Sequence, residues 1–268
     1  MQALIILLKF LAPLAYLVTT MVYARLFFSP EEIKFSRKAH VGLAISLLVH
    51  TGLLIALGFY LGRCPLGTVG EGLLFLAWMV GVIQYLSEWL ADTRRLGFFT
   101  LLPTSLCVLI GVFLQRPDYA LPESLRSSLL VFHIVASLAS YACFALASIL
   151  AALYLVLHGK LKNKNFDITF RKLPPLEKLD KLSANWSFLG SATMVMSSII
   201  GIWWVRKGGV AGMSLREAGI YLVLAVFLGA AFSRRLFGLR GKRHAMVILA
   251  GFGILLLTNL IGTHGFSG

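Results

Sequence analysis

Charge is what this sequence has least of. Of its 268 residues only 13% are Asp, Glu, Lys or Arg, while 58% are hydrophobic; soluble domains carry about 25% charged residues. No polar stretch long enough for a soluble domain interrupts the apolar runs. Acids are scarcer still, 11 against 25 basic residues, and no chain of carboxylates follows the apolar segments as a proton pump or cation transporter requires. Cysteine is sparse. Cys64, Cys107 and Cys143 form no C-x-x-C, which excludes a closely spaced redox pair, and the missing C-x-x-C-H excludes covalently attached haem. Cys107 and Cys143 read as small buried hydrophobes, and Cys64 as an outer-loop thiol open to reaction. The N-terminus has neither a basic n-region nor a small-residue cleavage site and carries Lys9 within its apolar run, so the first segment is not expected to be a cleavable signal.

What is present is hydrocarbon length, repeated. Runs of about 20 apolar residues, each enough to cross a core of ~30 Å, recur along the chain, with mean hydropathy +0.84. Backbone in lipid must satisfy its own hydrogen bonds, and uninterrupted runs do so as helices. The expected fold is an all-α integral membrane protein, a bundle of about eight transmembrane helices forming a single polytopic domain over residues 1–268. The spans fall at roughly 3–27, 40–62, 69–91, 96–114, 127–158, 183–205, 215–233 and 244–263. The fifth is too long to lie wholly in lipid.

The formal net charge of +14 would suggest nucleic acid in a soluble protein. Here Lys and Arg crowd the loops and flanks after odd-numbered spans, above all Lys160–Lys181, and are few after even-numbered ones. That is the positive-inside pattern. It predicts both termini outside and no nucleic-acid partner, with the basic segment Lys160–Lys181 positioned to touch anionic lipid.

Two histidines then share one predicted face. His133 lies about two turns into the fifth span and His264 follows the eighth, in Gly262-Thr263-His264-Gly265. Both fall at the outer boundary, where Trp203-Trp204 opens the sixth connection and Arg206 and Lys207 follow. Ser137, Ser140, Phe144, Ser148 and Ala151 follow His133 at helical spacing beside a Cys143, Ala147, Ala151 line, so the fifth span is expected to be central. A blander reading competes at each position. His264 could be a polar tip among headgroups, and Trp203-Trp204 an interfacial anchor. His50, near the middle of the second span, stays open between a third ligand, a proton relay and a histidine bonded to a neighbouring helix. His40, His158 and His244 sit beside Lys or Arg at inner ends and read as solvated flanks. Glu88 and Asp92 lie near Arg94 and Arg95 and read as a local ion pair; Glu71 reads as a helix N-terminal carboxylate.

Two imidazoles complete the coordination of a haem iron, whereas zinc usually takes four protein donors, and the outer face offers no evident third and fourth. Haem also suits the setting: the macrocycle is apolar and its propionates favour cations such as Arg206 and Lys207. Transport of a small solute, with the histidines as a proton relay, would call for internal repeats and broken helices; no repeat is found. A cofactor-free structural subunit of a membrane complex is the third reading. No nucleophile–base pair or carboxylate dyad marks the chain as an enzyme by itself.

The sequence resembles the cytochrome c assembly family of membrane proteins, in its CcsA/HemX-like branch. Leu130-Val131-Phe132-His133-Ile134 with Ser140-Tyr141-Ala142 resembles that family's ligand-bearing helix. Ala152-Leu153-Tyr154-Leu155, Leu161-Lys162-Asn163-Lys164 and Leu173-Pro174-Pro175-Leu176-Glu177 keep its register, and Asn259–Gly265 is similar to its closing helix and terminal histidine. The resemblance is clear from about residue 125 onward. It implies non-covalent, b-type haem held at the outer face by His133 and His264 around a tryptophan-rich loop, with His50 as a possible intramembrane ligand. It also implies a companion maturation subunit and apocytochrome c as partners, in a bacterial-type inner membrane. The synthase-type W-x-W-D-P-K-E loop is replaced here by Met213-Ser214-Leu215-Arg216-Glu217, and a second intramembrane histidine of those members falls on Phe232. The shorter HemX-like members are the nearer likeness.

Overall fold

The computed structural model describes residues 1–29, 32–115, 127–164, 167–208 and 215–262. Among these residues the chain is helical, with no strand. The helices are α1 (Gln2–Phe28), α2 (Glu32–Leu61), α3 (Val69–Ala91), α4 (Gly97–Phe113), α5 (Ser128–Lys162), α6 (Ile168–Lys172), α7 (Leu176–Gly208), α8 (Leu215–Phe237) and α9 (Lys242–Gly262). A 3₁₀ turn, Arg94–Leu96, precedes α4. α1 to α5 and α7 are long and apolar enough to cross a membrane, and α8 contains a shorter apolar stretch, Gly219–Phe232. The protein is an integral membrane helical bundle.

Helix ends follow local chemistry. Thr68 caps α3, its hydroxyl accepting from Glu71 N at 3.3 Å, and Asp92 closes α3 in the left-handed region at φ 47°, where its short side chain is tolerated. These two residues bound the segment expected as span three. α7 departs from expectation: it starts at Leu176, well before residue 183. Pro174-Pro175 sets its entry, Glu177 favours the positive end of the helix dipole, and the polar stretch that follows packs inward through Leu179 and Asp180.

The chain forms two compact units, Met1–Ile134 and Val135–Gly268. The first packs Tyr16, Tyr23, Leu43, Leu53, Leu74, Leu101 and Val108 into its core. Close approach of α3 and α4 depends on Gly70, where an added Cβ would lie 2.6 Å from Leu114 C and 2.7 Å from Gln115 N. Those are backbone atoms and cannot swing aside. Gly70→Ala is expected to cost about 1–3 kcal/mol through overpacking. Gly72→Ala, whose Cβ meets open space, should be neutral or slightly stabilising. Thermal unfolding of both in detergent checks the contrast.

In the second unit the core is built on α5, the most buried of the long apolar helices. Cys143, Ala147 and Ala151 are buried, as the small-residue line predicts. The Phe144 ring stacks on Phe227 with centroids 3.7 Å apart and planes at 13°. Gly190 of α7 lies against Phe144, leaving no room for a side chain there.

Candidate functional site

His133 lies in the second turn of α5 and is half-buried. One turn further along, Ser137 Oγ lies 2.6 Å from Ser197 Oγ of α7; deeper, Ser183 donates to Ala147 O at 2.8 Å. The two helices therefore run antiparallel, and in the second unit the early turns of α5 and the last turns of α7 mark the same end. α9 ends at this end too, since Thr258 packs against Gly219 in the first turns of α8. His264 lies outside the described residues, as do Met213 and Ser214. His133 packs within the first unit and the tryptophan pair within the second.

Trp203 and Trp204 do not open a loop, because α7 continues to Gly208. Trp203 is 52% exposed, and Lys207, one turn on, places Nζ 4.6 Å from its ring centroid. This i,i+4 cation–π pair fixes Lys207 beside the indole it was expected to accompany. Trp204 is half-buried, and Arg206 is exposed. Two cations at a helix C-terminus complement its dipole, and they remain open to an anionic group. Phe232 is 60% exposed and faces outward.

His50 is fully buried in the middle of α2. Its Nδ1 lies 3.3 Å from Tyr16 Oη, with the rings edge-on at 5.5 Å and 88°, and its Nε2 has no partner among the described residues. Gly81 makes room for the Tyr16 hydroxyl, since a Cβ there would come within 2.9 Å of it. An imidazole held through one nitrogen with the other unpartnered has the arrangement of a ligating histidine. This orphaned nitrogen fits an iron ligand, and so does the chemistry of the wider donor set: imidazoles, indoles and cations. No group of three or more His, Cys, Asp or Glu side chains gathers among the described residues.

Two polar clusters escaped the sequence reading. Glu88, expected beside Arg94 and Arg95 in a local ion pair, is instead 1% exposed. Its Oε1 accepts from Tyr23 Oη at 2.5 Å and Gln84 Nε2 at 3.0 Å, and its Oε2 lies 2.8 Å from His40 Nδ1. Arg94 donates to Ser36 Oγ at 3.2 Å, and Asp92 Oδ1 lies 3.9 Å from Arg94 Nε. His40 is thus no solvated flank; it bonds to a buried carboxylate and stacks on Tyr85 at 4.4 Å. His244 is no flank either, being 1% exposed. It sits 3.8 Å from Asp180 Oδ1, and Asp180 bonds Arg234 Nη1 at 2.8 Å and Gly241 N at 3.0 Å. The available signal was polar residues inside apolar segments, with Gln84 and Glu88 one turn apart; their partners lie on other helices, which spacing along one helix does not show.

Glu71 does lie in the first turn of α3 and also takes Arg63 in a two-point ion pair, at 2.7 and 3.0 Å, plus Gly67 N at 2.7 Å. Cys64 lies half-buried in this connection. Burial, and then the Glu71 carboxylate, push its thiol up, while Arg63 pulls it down; the net direction disfavours the reactive thiolate.

The profile of the Cytochrome C assembly protein family matches residues 66–263. Protein HemX of Bacillus subtilis (strain 168) is 26% identical over 264 residues, covering 93% of this chain and 96% of that protein. Protein HemX of Brevibacillus brevis is 27% identical over 197 residues, covering 70% and 72%. Cytochrome c biogenesis protein CcsA of Cuscuta exaltata is 24% identical over 269 residues, covering 89% and 87%.

Proposed function

Because this chain belongs to the cytochrome c assembly protein family, we propose that it serves cytochrome c biogenesis by holding non-covalent, b-type haem at the outer membrane face. The observation that carries the reading is the family match, whose span, residues 66–263, includes His133 and Trp203–Lys207. His133 and His264 are the axial ligands. Trp203 and Trp204 give an apolar wall, and Arg206 and Lys207 hold the propionates. His50 is a deeper ligand, presented by Tyr16. Bound haem would supply the vinyl groups that attachment to a cytochrome consumes and the iron that the cytochrome keeps. The chain's own residues bind, orient and shield; none of them is assigned a catalytic step. The partners in this reading are a companion maturation subunit, apocytochrome c and anionic lipid along Lys160–Lys181, within a single polytopic domain of a bacterial-type inner membrane with both termini outside.

The visible spectrum tests it. Detergent-purified wild-type protein, loaded with haemin and reduced with dithionite, is expected to give a b-type spectrum. His133→Ala and His264→Ala should each weaken it by about tenfold or more in haem affinity, the scale of a lost metal contact. A wild-type protein that stays colourless after haemin addition would sink the proposal.

A further inference from the structure

The Glu88 cluster has no task in haem holding, yet all of its parts point to one. Glu88 carries no exposed side-chain surface, whereas His40 is 23% exposed. The buried carboxylate therefore meets the protein surface through an imidazole, the side chain whose unperturbed titration lies nearest neutrality. The titratable and charged groups around the pair are Tyr23 from α1, Tyr85 from α3, and Arg94 from the 3₁₀ turn with Asp92 beside it.

Beyond Glu88 the otherwise apolar core of the first unit holds further hydroxyls. Thr19 Oγ1 lies 2.9 Å from Ser46 Oγ, and one turn further Tyr16 meets His50. Tyr23, Thr19 and Tyr16 share one face of α1, about 5 Å of rise apart. Two glycines make the room: a Cβ on Gly42 would lie 3.1 Å from Thr19 Oγ1, and one on Gly81 2.9 Å from Tyr16 Oη. A merely structural network would account for Tyr23 and Gln84 bonding to Glu88. It would not account for an imidazole outlet on one side and a file of hydroxyls on the other.

We propose that His40 and Glu88 form a proton-exchange site feeding this file. A proton from bulk water binds the His40 nitrogen that Glu88 does not hold. Nδ1 then gives its own proton to Glu88 Oε2, leaving a neutral imidazole and a carboxylic acid; only N–H and O–H bonds change. The site works in the absence of haem, so its test is separate from the spectral one.

The test is infrared difference spectroscopy of the full-length, haem-free protein in lipid nanodiscs after a pH jump. Acidification is expected to convert one carboxylate to a carboxylic acid in the wild type, and the band should vanish in Glu88→Gln. In His40→Asn, which keeps a donor but cannot titrate, the same conversion should slow at least about tenfold. Identical wild-type and Glu88→Gln difference spectra would overturn the proposal, as would an unchanged rate in His40→Asn. Should Glu88→Gln fail to fold by circular dichroism, the His40→Asn rate decides alone.

Discussion

Glu88→Ala is expected to destabilise the protein by about 3–5 kcal/mol, the scale of breaking a buried charged pair from one side. Alanine removes both oxygens at once. Tyr23 Oη and Gln84 Nε2 lose their shared acceptor, and His40 loses the partner of its Nδ1. Gln84 Oε1 already lacks a partner among the described residues, so losing the Nε2 bond to Glu88 leaves both ends of its amide unpaired. In lipid no water can replace these bonds cheaply, and each orphaned donor carries its own desolvation cost. Glu88→Gln keeps two acceptor–donor positions and should lose much less, about 1 kcal/mol. The free cysteines give the readout. Cys107 of α4 is half-buried in the same unit, so its labelling by a thiol-reactive dye on heating reports the unit's opening. A midpoint for Glu88→Ala within about two degrees of wild type would mean the network contributes almost nothing.

The fold was legible wherever one helix decides its own fate. Val69–Ala91 is bounded by a threonine cap and an aspartate in the left-handed region, and both are local signals. The buried small-residue line of α5 was legible too, because small side chains at helical spacing have one use in lipid. The expectation failed where a polar side chain is rescued by another helix. His40 and His244 stand beside cations in the chain, and proximity in sequence suggested water. Glu88 across the bundle draws His40 inward, while His244 is carried inside by α9 against Asp180. The start of α7 failed for the same reason: its polar first turns look like loop until Asp180 is seen to hold Arg234. For the residues proposed to hold haem, the sequence offers the candidates; the Lys207–Trp203 stack and the Tyr16–His50 contact come from helix geometry.

Asp180→Ala should open the far end of the second unit, because one carboxylate there ties three segments. Oδ2 holds Arg234 of α8, and Oδ1 accepts from Gly241 N in the turn leading to α9. That turn depends on Gly238 and Gly241 at φ 64° and 70°, a conformation that Gly tolerates without strain but that adds no contacts of its own. Arg234 and Asp180 side chains are 21% and 10% exposed, so screening reduces the pair without abolishing it. Alanine leaves the guanidinium and one amide unpaired, at a cost of about 2–4 kcal/mol. Asp180→Asn keeps an acceptor for Gly241 N and loses only the charge, so it should fall near the low end of that range or below. The effect ought to be local at first. Ala245 N, which bonds Gly241 O at 3.0 Å, begins the amide ladder of α9, and hydrogen exchange there should quicken at least about tenfold in Asp180→Ala. Exchange in α3, in the first unit, should not change. Equal acceleration in both units would mean that Asp180 supports the whole bundle rather than this turn, and no acceleration at Ala245 would mean that the glycine turn holds without it.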